Sequence, residues 1–241
     1  MQNISNNVAE NFSNLNQQFE KKTIPERLHL IFDVFGDDVG MTSAFGYSGM
    51  VLMYHLKEIK PDIPIYFIDT RFHFKETLKL VEEVKKDWKL NIISISTSLS
   101  EKKIEQNIGF EAYKQDPDLC CNVRKVEPLI EILPTKKIWL HALRRDQSIL
   151  REKLNFFEPS LDVTKAYPLA DWTREQCWDF IIKKSLKYNP LHDEHYPSIG
   201  CIHCTKSISK GESERAGRWS SFPEKTECGL HILKAKKENI K

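Results

Sequence analysis

No stretch of this sequence is apolar for long enough to cross a bilayer, which takes ~20 consecutive apolar residues as a helix. Neither sign of charge dominates. With 36 Lys and Arg against 34 Asp and Glu the net charge is +2, which excludes a protein held to nucleic acid by bulk charge alone. No internal repeat is present, which excludes a solenoid or propeller. Disulfides are not needed, because 241 residues suffice to bury a substantial core. The opening "MQNISNNVAENFSNLNQQFEKK" is polar and Asn-rich, without the apolar segment of a signal peptide. It is expected to be a loosely attached helix or leader within a polar region 1–38. A cytoplasmic protein is expected, bound to neither membrane nor nucleic acid, with reduced cysteines available for metal ligation or catalysis.

What is present is an ordinary globular composition, 40% hydrophobic and 29% charged. From about residue 39 to 170 it alternates strand-like and helix-like segments. "GMTSAFG" reads as a strand entering a loop, and "SGMVLMYHLKEI" as the helix after it. "IPIYFID" is a short apolar run of the kind buried in a parallel sheet. In "FHFKETLKLVEEVKKDW", Phe74, Leu78, Val81 and Trp88 are expected on one helical face. "NIISIS" and "KKIWLHAL" supply further strands, and Thr173 opens the helix "TREQCWDFIIKK". After Pro190 the alternation stops and about 50 loop-rich residues follow. The expected fold is α/β: an open, mostly parallel sheet with helices on both faces over 39–190, and a functional tail over 191–241.

In such a sheet, ligands bind at the carboxyl ends of the strands. That directs attention to the loops "SAFGYSG", "IDTRFHF" and "HALRRDQS". The first is small and hydroxyl-bearing and feeds a helix N-terminus, where N–H groups favour phosphate. It lacks the double glycine and aspartate of a pyrophosphate loop, which argues against an ATP pyrophosphatase. The third carries Arg144 and Arg145, adjacent cations suited to phosphate or sulfate, although paired arginines are also common on solvated surfaces.

Of six cysteines, Cys120 and Cys121 are adjacent in "DPDLCCNVRKVEPL", and Cys201 and Cys204 form a Cys-x-x-Cys pair. A structural zinc site usually curls two Cys-x-x-Cys hairpins around one ion. Adjacent cysteines point in different directions and suit separate irons of a four-iron cluster. The alternative is a set of unrelated buried thiols, the reading adopted for Cys177 amid Trp178, Phe180 and Ile181. Asp116, Pro117 and Asp118 look like a helix start, which puts the paired thiols near a helix N-terminus where the dipole favours thiolate. Pro128 is expected to end that helix and start another. Lys125, one turn past Cys121, would offset thiolate charge or meet an anionic ligand. Cys228, in the polar "EKTECGLH", has Lys225 and His231 three residues to either side, with Arg215 and Arg218 shortly before. Such cations lower a thiol pKa and attract a doubly anionic substrate. Cys228 is therefore expected to be an exposed nucleophile.

"CCNVRKVEPL", "RRDQS", "NPLHDEHYPSIGCIHCT", "GESERAGRW" and "ECGLH" together resemble the motifs of the assimilatory sulfonucleotide reductases, over about residues 40 to 232. The resemblance implies an adenine-nucleotide α-hydrolase-like sheet and a [4Fe-4S] cluster on Cys120, Cys121, Cys201 and Cys204. It implies reduction of adenylyl sulfate to sulfite and AMP. Cys228 takes the sulfonate as a thiosulfonate, and thioredoxin or a similar dithiol carrier releases sulfite. No spare cysteine lies near Cys228 in sequence, which also points to an outside dithiol. By the same resemblance Ser43, Phe45, Gly46, Asp69 and Thr70 line the nucleotide pocket. Lys125, Arg144, Arg215, Arg218 and His231 grip the phosphosulfate. The 3′-phosphorylated nucleotide is the alternative substrate, a zinc-binding regulator is a remote one, and a homo-oligomer is left open. Two loop glycines of the family are replaced here, by Arg71 in "DTR" and Ala142 in "HALRRDQS". Glycine at such loops allows positive φ or close backbone approach, and Arg71 is a candidate cation for a 3′-phosphate.

Overall fold

Residues that alternate in facing, with apolar groups on both sides, build a sheet covered by two layers. The computed structural model describes residues 12–160 and 163–228. Its strands are β1 (Val39–Thr42), β2 (Ile65–Ile68), β3 (Ile92–Ile95), β4 (Ile138–Leu140), β5 (Phe157–Ser160) and β6 (Val163–Ala166), in the order β3-β2-β1-β4-β6-β5. All neighbours are parallel except β5, which is antiparallel to β6. That edge hairpin is not evident in the sequence. Pro159 lies within β5, and proline is admitted to a sheet at its edge. The helices are α1 (Ile24–Phe35), α2 (Tyr47–Ile59), α3 (Lys75–Trp88), α4 (Glu101–Ile108), α5 (Pro117–Cys121), α6 (Glu127–Ile132) and α7 (Arg174–Lys184). Ile65, Phe67, Ile138 and Leu140 face a large core closed by α1, α2, α3 and α7. Ile68 and Trp139 face the other way, onto Val126, Leu129 and Leu133 around α6. The helices thus cover both faces, as expected. Among the described residues no helix is long and apolar enough to cross a membrane.

Three local expectations change. The region expected as a loosely attached helix or leader packs on the core from Phe12 onward: Phe12 and Leu15 lie against it, Phe19 is buried, and Ile24, Leu28 and Ile31 are buried at helical spacing. Arg27 fastens it by a two-pronged pair with Asp171, both contacts 2.6 Å. On α3 the buried face is Thr77, Leu80, Val81 and Val84, while Leu78 is 41% exposed. Phe74 precedes the helix and packs edge-on against Tyr196 instead. Pro128 stands in the first turn of α6, as expected, but the chain does not leave the helical conformation before it. The backbone stays helical at Asn122 (φ −58°) and Glu127 (φ −57°) through a wider π turn, Asn122–Val126. That turn relieves the clash a proline ring makes with the carbonyl four residues back. The start of α5 is as read: the Asp116 side chain accepts from the Leu119 N–H at 2.8 Å. So is that of α7, where Thr173 and Gln176 cap each other and Cys177 is fully buried.

After α7 the described chain forms no further sheet strand. It is tied down by isolated bridges between His73 and Cys201 and between Thr205 and Arg218. The first lays the Cys-x-x-Cys segment across the β2–α3 loop.

Candidate active site

Strands β2, β1 and β4 are neighbours, so the loops leaving their carboxyl ends meet at one edge of the sheet, and the tail folds over them. Between them is a cavity of about 240 Å³. From the β1 loop, Ser43 and Gly46 line it. The Ser43 hydroxyl accepts from the Phe45 N–H at 3.1 Å, and Gly46 caps α2. A Cβ on Gly49 would come within 2.9 Å of the Ser43 hydroxyl, so glycine lets α2 start close beneath the loop. Phe45 does not line the cavity. Its backbone has φ +57°, and its ring is fully buried, edge-on to Phe67 at 5.6 Å. It anchors the loop from below. From the β2 loop, Thr70 lines the cavity with its hydroxyl 3.3 Å from the Cys201 sulfur. Asp69 is not among the lining residues, and its carboxylate accepts from the Arg71 N–H at 2.8 Å.

Arg71 sits at φ +62°, a left-handed conformation that glycine adopts most freely. Its side chain donates to the carbonyls of Leu99 (2.8 Å) and Thr97 (2.9 Å) and pairs with Glu101 at 3.0 Å. It therefore ties down the segment before α4 and does not line the cavity. Glu101 also receives both Nη groups of Arg124, on the π turn beside Cys121.

The β4 loop differs most from expectation. Arg144 is fully buried and does not line the cavity. It pairs with Asp146 (2.9 Å) and Glu214 (3.0 Å), donates to the Ser48 hydroxyl, and lies 4.9 Å from the centre of the Tyr47 ring. Burial opposes its charge, yet Tyr47, Glu214 and Asp146 hold its pKa above the usual arginine value. It is a pillar that joins β4 loop, α2 and tail. His141, Gln147 and Arg151 of this loop line the cavity instead. Burial, with Lys165 and Arg151 near, pushes His141 down to about 3, so its ring is neutral, 3.0 Å from the Thr42 hydroxyl.

The tail contributes Arg215, Arg218, Trp219, Glu227 and Cys228. Trp219 is 3% exposed and organises the cations, with Arg218, Lys225 and Arg215 lying 4.5, 5.2 and 5.6 Å from its ring centre. Arg218 donates to the Cys204 carbonyl and the Ser198 hydroxyl, each at 3.3 Å. Its guanidinium occupies the space where Gly200 lacks a Cβ. Burial, with Arg151 and Arg218 nearby, pulls Arg215 down to about 10, while Glu227 works to raise it. Cys228 is 8% exposed, packed with Cys121 and Trp219, and so is not the exposed thiol expected from the polarity of its neighbours in sequence. The Trp219 ring and the Cys121 side chain bury it from the tertiary side. His231 lies outside the described residues.

Of the four expected ligand cysteines, drawn from two segments 80 residues apart, Cys120, Cys201 and Cys204 feel one another's charge, whereas Cys121 packs with Cys228 and Trp219, with Cys204 against them. Cys120, Cys121 and Cys201 are buried and Cys204 is partly so. Burial raises the Cys120 pKa, with the Cys201 sulfur adding to it. Burial and Cys201 push Cys204 up to about 11. A hydrogen bond to Cys228, then burial, raises Cys121. Lys125 lines the cavity among these sulfurs. Burial disfavours its charge, but Cys201, Cys228 and Cys121 outweigh it and its pKa stands above the ordinary lysine value. Among the described residues no three His, Cys, Asp or Glu side chains close around a point as the ligands of one metal ion do.

Sequence reasoning missed Arg151, Glu227, Glu214 and His141. Glu227 stands inside the quoted "ECGLH", but nothing in the spacing pairs it with an arginine 76 residues earlier.

The fold and cavity define an α/β protein of the adenine-nucleotide α-hydrolase-like class, with a thiol set beside a cation-lined cavity at the strand ends. Residues 38–207 match the phosphoadenosine phosphosulfate reductase domain. Adenosine 5′-phosphosulfate reductase of Halalkalibacterium halodurans is 38% identical over 95% of this chain and all of its own length. The enzyme of that name from Staphylococcus haemolyticus is 42% identical over 86% of each chain. The crystal structure of phosphoadenylyl-sulfate reductase from Candida auris, a phosphate complex, superposes with a TM-score of 0.73 at 26% identity, over 83% of this chain and 97% of that one. Candida glabrata FMN adenylyltransferase shares the fold alone, with a TM-score of 0.55 at 16% identity, over 86% of this chain and 76% of that one. This chain belongs to the phosphoadenosine phosphosulfate reductase domain family.

Proposed function

We propose that this protein reduces adenylyl sulfate to sulfite and AMP in sulfate assimilation, with Cys228 as the nucleophile and a dithiol protein such as thioredoxin as reductant. The observation that carries the reading is one cavity walled by Cys228, Lys125, Arg215 and Arg218 at one side and by the β1 loop and the start of α2 at the other. The cations oppose the negative charge of a phosphosulfate, and the α2 N-terminus offers N–H groups to phosphate oxygens. The Cys228 thiolate attacks the sulfur, the S–O bond to phosphate breaks, and AMP leaves with both bonding electrons. The enzyme then carries Cys228–S–SO₃⁻. An external thiolate attacks the Cys228 sulfur, sulfite leaves, and a mixed disulfide forms. The carrier's second thiol resolves it, so two thiols lose the two electrons that reduce sulfur.

Cys120, Cys121, Cys201 and Cys204 would hold a [4Fe-4S] cluster. What supports that assignment is the chemistry of the donor set: four thiols, mostly buried, supplied by two segments. Burial raises both Cys120 and Cys204, and Arg124 and Lys125 beside the first and Lys125 and Arg218 beside the second offset part of that cost to the thiolate forms such a cluster binds. When bound, the cluster would supply a fixed charge distribution beside Lys125 and Cys228.

Adenylyl sulfate is favoured over its 3′-phosphorylated form because Arg71, the candidate for the extra phosphate, is engaged with Thr97, Leu99 and Glu101. The test is Cys228→Ser, which is expected to abolish sulfite release while AMP binding and iron content persist. Sulfite release by that variant would overturn the reading. Parallel turnover of the two nucleotides tests the substrate, and about four irons per anaerobically purified chain tests the cluster.

A further inference from the structure

We propose that Arg151 is a positioning residue for Cys228, acting through Glu227. This rests on the reading of Cys228 as nucleophile and adds what holds it in place. Arg151 donates from Nε and Nη2 to the two carboxylate oxygens of Glu227, at 2.9 and 2.7 Å. The pair is buried, with Arg151 6% and Glu227 9% exposed. Its third group, Nη1, donates to Gln147. The Arg151 backbone is itself fixed: its N–H donates to the Ser148 carbonyl and its carbonyl accepts from Leu154, both at 2.9 Å. Arg151 therefore belongs to the frame set by β4, whereas Glu227 belongs to the tail.

The tail needs such a tether. Beyond Trp219 the described chain has neither helix nor strand, and turn bonds such as Phe222 N–H to Trp219 carbonyl supply its only backbone order up to Cys228. Side-chain pairs must then decide where residue 228 sits. Lys225 reaches Asp118, and Arg215 reaches the Thr226 carbonyl at 2.9 Å and one Glu227 oxygen at 3.3 Å. Arg215 lies in the tail region too, so its bond to the Thr226 carbonyl joins tail to tail, and its contact with Glu227 is single and longer. Only the Arg151 fork, matching both oxygens, fixes the orientation of the Glu227 carboxylate as well as its distance. The α-carbons of Glu227 and Cys228 are ~3.8 Å apart, so a displaced carboxylate carries the thiol with it. Both partners line the cavity, which puts the tether in the wall between the cations and the sulfur.

A misplacement of ~1 Å at a reacting group costs on the order of 100-fold in rate. Arg151→Ala and Glu227→Gln are each expected to lower kcat for sulfite release about that much, with KM for adenylyl sulfate and AMP affinity within about threefold of wild type. Alkylation of Cys228 by iodoacetamide, followed by mass spectrometry, is expected to quicken about tenfold in both, as the segment loosens. The double variant is expected to be no slower than the worse single by more than about threefold, since both remove one contact. Arg151→Lys, with one point of donation, should recover part of kcat. A raised KM at unchanged kcat would make Arg151 a substrate ligand and overturn the proposal. So would losses that multiply in the double variant, or alkylation at the wild-type rate. If Arg151→Ala does not fold, the near-isosteric Glu227→Gln carries the same outcomes. If Cys228→Ser is inactive while Arg151→Ala and Glu227→Gln match wild type, the tether alone fails. If Cys228→Ser still releases sulfite, the nucleophile reading fails.

Discussion

Arg144 separates a substrate clamp from a structural pillar, and Arg144→Ala distinguishes the two by where its cost falls. The side chain is fully buried. It bridges Asp146 and Glu214, whose side chains are 31% and 11% exposed. Removing it leaves two carboxylates without their shared cation, together with an unfilled volume against Tyr47. Breaking a buried ion pair by removing one partner costs about 3–5 kcal/mol, and the partial exposure of Asp146 puts this case near the lower end, about 3 kcal/mol. That is a large share of the ~5–15 kcal/mol by which domains are stable. For a chain of this size each kcal/mol moves Tm by about 2–4 °C, so calorimetry should find Arg144→Ala melting about 6–12 °C below wild type. Arg144→Lys keeps the charge but loses the fork and should recover about half of that. A fall in Tm below about 2 °C, accompanied by a large loss of AMP affinity, would refute the pillar and return Arg144 to the substrate.

Further outcomes follow from other contacts. Gly200→Ala would place a Cβ where the Arg218 guanidinium lies; displacing that cation should weaken AMP binding about tenfold or more, read by calorimetric titration, and an unchanged affinity would show that Arg218 does not meet the ligand. Arg71→Gly relieves a φ of +62° but removes the contacts to Thr97, Leu99 and Glu101; it should leave the ratio of turnover on the two nucleotides unchanged, and a changed ratio would restore Arg71 to the nucleotide site. Burial pulls His55 and His192 down to about 4 and His141 to about 3, so all three are neutral in the fold at pH values where the unfolded chain, near 6.5, takes up protons. Stability is then whole above pH 6.5 and falls between about 6.5 and 4, by up to ~1.4 kcal/mol per pH unit for each histidine; urea titrations giving a flat profile across that window would contradict it.

The sequence by itself determined the α/β alternation, the helix starts at Asp116 and Thr173 and the burial of Cys177, because periodicity and caps are local properties. It also pointed to the three strand-end loops and, through Arg215, Arg218, Lys125 and Thr70, to much of the cavity wall. Only the tertiary structure decided which cations face the cavity. Arg144 looks like a phosphate ligand in "RRDQS", yet Glu214, 70 residues later, takes its charge. Arg151 has no mark in sequence, yet Glu227 draws it into the wall 76 residues away. Polarity of neighbours suggested an exposed Cys228, while Trp219 and Cys121 bury it. A buried charge must find its partner wherever the chain brings one, and that choice is made by packing between distant segments, which no local pattern encodes.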